Sequence, residues 1–172
     1  FTPLKVSKNK LLNLIGNFYT TIIRGVPELL VIYLIFFGGN AVVMKIAKIF
    51  GYNGYIELNA FTIATIAIAI ISATYSSEVL RAAYLSISKG QLEAARALGM
   101  NKISIFLKVI TPQVIRYALP GIGNVWQITL KDTSLISVTG LVEIMRQSRI
   151  SSNVEHSPLT FLITAAILYL CL

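Results

Sequence analysis

Three carboxylates stand in or at the ends of long apolar runs, Glu28, Glu78 and Asp132. An acid in such surroundings is costly unless a cation or a partner holds it, so each is a candidate for chemistry. Glu28 follows Pro27 at the start of its run. Proline suits a first helical position and an acid there favours the positive end of the helix dipole; a counter-charge for a cationic ligand is the competing reading. Glu78 and Arg81 are three apart on one helical face, which predicts a local ion pair, with Glu78 facing a pathway as the alternative. Lys131 and Asp132 are adjacent, so they point about 100° apart and do not pair easily. Asp132, Thr133 and Ser134 together form a plausible helix start, which predicts a break near 130–134, and broken helices line transport sites because their free termini attract ions. Gln127 and Trp126 either pack or touch a ligand, with packing the expectation for Trp126.

Other chemistries are poorly supplied. One histidine, His156, and one cysteine, Cys171, give a zinc-type site almost no ligands and leave no internal disulfide. His156 falls in a polar stretch and is expected in solvent. No His, Asp and Glu cluster is available for a membrane-embedded enzyme. No Gly-x-x-x-x-Gly-Lys-Ser/Thr run is present, so no phosphate loop is expected.

The elements that must position these residues are set by lipid. The 172 residues are 55% hydrophobic and 13% charged, with a mean hydropathy of +0.73. A soluble domain carries about twice that charge fraction. The net charge of +8 is no nucleic-acid signature, because the basic residues form no stripe interleaved with aromatics. Val26–Val43 holds one charge, Glu28, and reads as a first span whose far end Gly38, Gly39 and Asn40 would loosen. Residues 44–59 look like an extramembrane turn. Ala60–Ser77 is uncharged and reads as a second span. A third apolar stretch, Tyr117 to about Ile144, is interrupted by Pro120, Gly121, Gly123, Lys131 and Asp132, the glycines allowing close helix packing. Residues 145–158 are polar, and a last span opens at Leu159. Upstream, Leu11, Leu12, Ile15, Phe18, Tyr19, Ile22 and Ile23 recur at helical spacing, as in an amphipathic helix at the interface or a plain lead-in to the first span.

Lysine and arginine count ten in residues 1–24 and 81–116 against four in the alternate connections (Lys45, Lys48, Arg146, Arg149), which puts the former on the cytoplasmic side. The chain opens Phe-Thr-Pro with no signal peptide, and Leu159–Leu172 falls short of the roughly 20 residues a crossing needs. It therefore reads as an internal piece of a longer protein. No internal repeat stands out.

Residues 90–112 are a polar, helix-prone island between apolar runs. Gln91–Leu98 is rich in helix formers, and Gly99 sits where helices end in the left-handed conformation. Asn101 is placed to cap a second helix through Ile110, with Pro112 limiting it. Two short helices joined by a bend result. Ala94, Ala95 and Ala97 give the first a small-residue face able to sit in a partner's groove, with Glu93, Arg96 and Lys102 as polar handles. An ordinary solvated loop fits the same pattern.

Here the sequence resembles a known family. Glu93-Ala94-Ala95, three residues, Gly99, nine residues, Val109, one residue, Thr111-Pro112 resembles the EAA loop of ABC-importer permeases, with Val109 for isoleucine and Thr111 for leucine. Arg24–Leu29, Tyr117–Trp126 and Leu130–Ser137 are similar to the polar amino acid branch, the histidine, arginine and opine permeases. The resemblance implies an all-α integral membrane bundle of the type I importer kind, with two short cytoplasmic coupling helices. Residues 1–172 would be one permease domain lacking a first helix and the end of the last, and 90–112 its coupling loop. It implies a multi-pass protein of the bacterial inner membrane that catalyses no covalent step and holds no cofactor, ATP being bound by a partner. The implied partners are a cytoplasmic ATPase dimer, a second permease subunit (identical or paralogous), an extracytoplasmic amino acid-binding protein and membrane lipid, without nucleic acid. Glu93, Ala94, Ala95, Gly99, Val109 and Pro112 would couple to the ATPase; Glu28, Glu78, Asp132 and Gln127 are pathway candidates. Glu28 and Asp132 tilt the cargo toward a cationic amino acid, with opines or an uncharged polar amino acid as alternatives. An ion-gradient-driven transporter using Glu78 or Asp132 is the other functional class.

Overall fold

The computed structural model describes residues 10–52, 54 and 59–172, so the part of the expected lead-in before Lys10 lies outside the described residues. Among the described residues the chain is helical throughout, with no strand. α1 spans Lys10–Gly25, α2 Glu28–Ile49, α3 Ala60–Leu85 and α4 Lys89–Ala97. A four-residue α5 (Lys102–Ile105) runs through a π-helical turn (Phe106–Ile110) into α6 (Thr111–Asp132). A 3₁₀ segment, Thr133–Thr139, follows, then α7 (Ile144–Glu155) and α8 (Pro158–Cys171).

α1 is amphipathic, as its spacing predicts, with Leu11, Leu14, Ile15, Phe18 and Ile22 exposed on one side. The chain breaks at Gly25–Pro27, where Pro27 occupies the N-cap and its carbonyl accepts from Leu30 N at 2.9 Å and Val31 N at 3.2 Å. Two expectations for α2 need correction. Gly38 and Gly39 do not loosen it: the helix runs on through Ile49, because in an apolar medium every backbone group must be satisfied inside the helix. The turn expected from residue 44 therefore begins only at Phe50. α2 and α3 are long and apolar enough to cross a membrane; α8 is apolar but shorter.

The chain divides into two compact units. One comprises the chain up to Ile22 with Ser72–Trp126, the other Ile23–Ile71 with Gln127–Leu172. In the first, Thr74, Ser77, Ala83, Ile87, Ala95, Ile105, Ala118 and Val125 are buried. In the second the core takes Val31, Ile32, Ile63, Ala64, Ala67, Ile71, Ser137, Ser152 and Ala165. Both cores are rich in small residues, which let helices approach where lipid supplies no hydrophobic drive. Gly121 carries this furthest: a Cβ there would lie 2.6 Å from Val79 Cγ1 of α3. Gly123, expected to do the same, faces open space.

Residues 145–158 are not a simple polar connection. Most of them form α7, which packs against α8 as a helical hairpin and touches the 3₁₀ segment. His156 closes α7 in the left-handed conformation, φ 50°, and is exposed.

Candidate functional site

In the unit built from Ile23–Ile71 and Gln127–Leu172, Glu28 and Asp132 influence each other electrostatically. Glu28 sits in the first turn of α2 and is half-buried, and Asp132 ends α6 within electrostatic reach of it. Two like charges at that range repel, and a cation between them relieves the repulsion. Gln127 shares the unit but not the face: five residues from Asp132 on one helix, it lies about 140° round the axis, exposed beside Asn124.

The break near residues 130–134 exists, but in another form than a helix start. α6 passes directly into the 3₁₀ segment, and Asp132 keeps helical dihedrals without capping anything. The Thr133 and Ser134 hydroxyls instead donate backwards, each at 2.7 Å, to the carbonyls of Leu130 and Lys131. They satisfy the end of α6, where orphan carbonyls need donors.

This 3₁₀ segment is held from α7, and the start of α7 in turn from α8. Glu143 caps α7, accepting from Met145 N and Arg146 N at 2.7 Å each. The Tyr169 hydroxyl of α8 donates to Glu143 Oε2 at 2.9 Å. Arg146 Nη1 donates to the Ser137 carbonyl at 3.0 Å. A cavity of about 320 Å³ adjoins the segment, lined by Phe61, Thr65 and Ile68 of α3 and by Thr133, Ile136 and Glu143 among others. Sequence reasoning passed over Glu143, Arg146 and Tyr169. Glutamate is not a favoured N-cap, and the only signal was an acid three residues before Arg146 at the edge of a polar run.

The other unit holds Glu78 and the island. Glu78 Oε2 meets Arg81 Nε at 3.1 Å, the local ion pair that the spacing predicts. α4 ends in Gly99 at φ +75°, and Asn101 Oδ1 accepts from Ser104 N at 2.8 Å. Glu93, Ala94, Arg96, Ala97 and Lys102 are exposed, with Leu98 82% and Ile103 71% exposed. Ala95 differs from the expected small-residue face: it is 5% exposed, packed inward with Ile105 also buried. One position round a helix is about 100°, so neighbours cannot share a narrow face. Val109 is half-buried in the π turn and Pro112 is exposed.

Pro112 does not end the helix. The turn before it widens, with Thr111 N bonding Phe106 O and Thr111 Oγ1 donating to the same oxygen at 2.8 Å. Gln113 Nε2 donates to Val109 O at 2.8 Å. A proline lacks the donor and crowds the carbonyl four residues back, and a five-residue spacing accommodates both.

A family model described as binding-protein-dependent transport system inner membrane component matches residues 3–172. The chain is 50% identical to the nopaline transport system permease protein NocQ of Agrobacterium fabrum, over its whole length and 73% of the relative's. It is 49% identical to the octopine transport system permease protein OccQ of Rhizobium radiobacter, over 88% of this chain and 64% of that protein. It is 36% identical to the histidine/lysine/arginine/ornithine transport system permease protein HisQ of Escherichia coli, over 96% of this chain and 72% of that one. The crystal structure of an amino acid ABC transporter with histidines superposes with a TM-score of 0.80 at 33% identity, over 99% of this chain and 74% of that one.

Proposed function

The chain belongs to the family of inner membrane components of binding-protein-dependent transport systems, and on that premise we propose that it is the permease subunit of an ABC importer for polar amino acids with cationic side chains. The substrate class is supported by the electrostatic reach of Glu28 to Asp132, the arrangement that two acids sharing one cation would need. α2 and α3 supply membrane-crossing helices, and α6 presents Arg116, Asn124, Gln127 and Lys131 exposed along one side, as a helix beside a polar path would. A second reading, an opine as cargo, is favoured by the nopaline and octopine systems among the relatives.

Energy comes from a partner. The bend at Gly99 and the exposed Glu93, Ala94, Leu98 and Ile103 form the surface that a cytoplasmic ATPase dimer grips. Nucleotide-driven motion of α4 and α5 then passes through the π turn to α6, so that two permease subunits open alternately to either side. A binding protein delivers cargo from outside, and this chain makes and breaks no covalent bond. Glu78 pairs with Arg81 one turn along α3 and serves the stability of that helix rather than selection.

The test is the complete complex with its ATPase and binding protein in vesicles, loaded in turn with arginine, histidine, glutamine and an opine. Cation-stimulated ATP hydrolysis and uptake are expected, and Glu28→Gln reduces the preference for arginine over glutamine by about tenfold, the weight of one charge-assisted contact. An unchanged preference removes Glu28 from selection. Uptake by this chain without any ATPase overturns the importer reading itself.

A further inference from the structure

The cavity beside the 3₁₀ segment has no assigned part in transport, and its walls say what it can hold. It lies within one compact unit and measures about 320 Å³. Phe61, Ala64 and Ile68 of α3 line it together with Ile136, Leu141 and Val142. Its two hydroxyls are already engaged by nearby carbonyls: Thr65 Oγ1 donates to Phe61 O at 2.8 Å and Thr133 Oγ1 to Leu130 O at 2.7 Å. Among the lining residues Glu143 alone is charged. Its carboxylate accepts from Met145 N, Arg146 N and the Tyr169 hydroxyl, which leaves one of the roughly four acceptor positions of a carboxylate open. An amino acid that meets Glu143 must either bury its own ammonium and carboxylate between apolar walls, which is costly, or leave the interior unfilled. A hydrocarbon chain attached to a primary ammonium suits both the walls and the acid. The depth agrees. On the lysine and arginine bias residues 81–116 face the cytoplasm, so Phe61–Ile68 occupies the outer turns of α3, about 10 Å of helix. Glu143 stands just before Arg146 and Arg149, in a connection on the same outer side.

We propose that this cavity binds one outer-leaflet phospholipid with a primary-amine head group, its acyl chain against Phe61, Ile68 and Ile136 and its ammonium on Glu143. The proposal rests on the membrane family and the orientation of the chain, and not on a cationic cargo. A 3₁₀ stretch of seven residues is long for that geometry, and a lipid chain in the cavity supplies packing against its Thr133 and Ile136. A trimethylammonium head group carries the same charge but no N–H, so it cannot make the charge-assisted hydrogen bond to Glu143.

The test uses the complete complex in vesicles containing a phosphatidylethanolamine or a phosphatidylcholine, each with a photoreactive diazirine in one acyl chain. The ethanolamine lipid should label residues 61–68 and 133–142 about threefold to tenfold more than the choline lipid, the weight of one charge-assisted bond. Glu143→Gln keeps an oxygen to cap α7 and should bring the two lipids level. Thr65→Phe leaves Glu143 untouched and fills the cavity, so labelling of both segments should fall while labelling of α8 stays as it was. Equal labelling by the two lipids in the unaltered complex overturns the proposal without recourse to any variant. So does labelling that neither variant changes. Absence of label from both segments means that protein covers the cavity, and overturns it as well. Excess arginine should not compete with the lipid; competition makes the cavity a cargo site and sinks the lipid assignment. None of these readings depends on uptake or on the Glu28→Gln result, so the lipid site and the importer reading fail separately.

Discussion

At Gly121 the absence of a side chain is itself the packing interaction. The Cβ of any other residue would lie 2.6 Å from Val79 Cγ1 and displace α6 from α3. Gly121→Ala should destabilise the subunit by about 1–3 kcal/mol, the usual cost of overpacking, outweighing the roughly 0.5–1 kcal/mol that alanine gains over glycine in a helix. Gly123→Ala, with nothing within 4 Å, should show only the gain. Thermal unfolding of the purified subunit in detergent separates the two, and Val79→Ala should rescue Gly121→Ala but leave Gly123→Ala as it was. Both glycines read alike in the sequence, because composition says only that close approach is allowed; which face meets a neighbour is decided by the fold. Ala95 teaches the same point from the other side. Its neighbour Ala94 is open to a partner, while Ala95 closes the core of the helical elbow.

Elements whose ends are set by local bonds were legible. The Gly99 bend, the Asn101 cap and the Glu78–Arg81 pair each span a turn or less, and residue types at fixed offsets announce them. Elements fixed from a distance were not. α7 looked like a polar connection because its support, the Glu143–Tyr169 bond, joins residues 26 apart. Pro112 was read as a stop, since proline normally ends a regular helix, whereas a π turn carries the chain past it. That turn makes a prediction at this scale. Pro112→Ala restores the missing donor to the carbonyl four residues back, so the π turn should tighten into α-helix and rotate α4 and α5 by about 100° relative to α6, one residue's worth. The variant should insert normally and keep ATP hydrolysis, yet lose uptake per ATP consumed. Slower amide exchange over residues 106–110 would accompany it. Uptake that stays coupled with unchanged exchange would show that the wide turn has no mechanical part.

On the scale of the whole molecule the decisive quantity is apolar surface left uncovered. Only 11% of the most apolar window of α2 is buried, and large side chains stay open on every long helix. Lipid can cover most of these, but α6 is different in kind. Ile115, Leu119 and Trp126 are exposed next to a side carrying Arg116, Asn124 and Gln127, and a helix wet along one side is not wholly lipid-clad. Its apolar side is where a second permease subunit would close the path. Trp126, the one tryptophan in the chain and 62% exposed, reports on this directly. In the isolated subunit in vesicles, brominated acyl chains should quench its emission strongly. In the assembled complex, with partners free of tryptophan, the emission should shift to the blue and escape quenching, because a protein surface has replaced lipid against the ring. Equal quenching in both states would place the subunit contact on another helix and leave α6 with lipid on one flank.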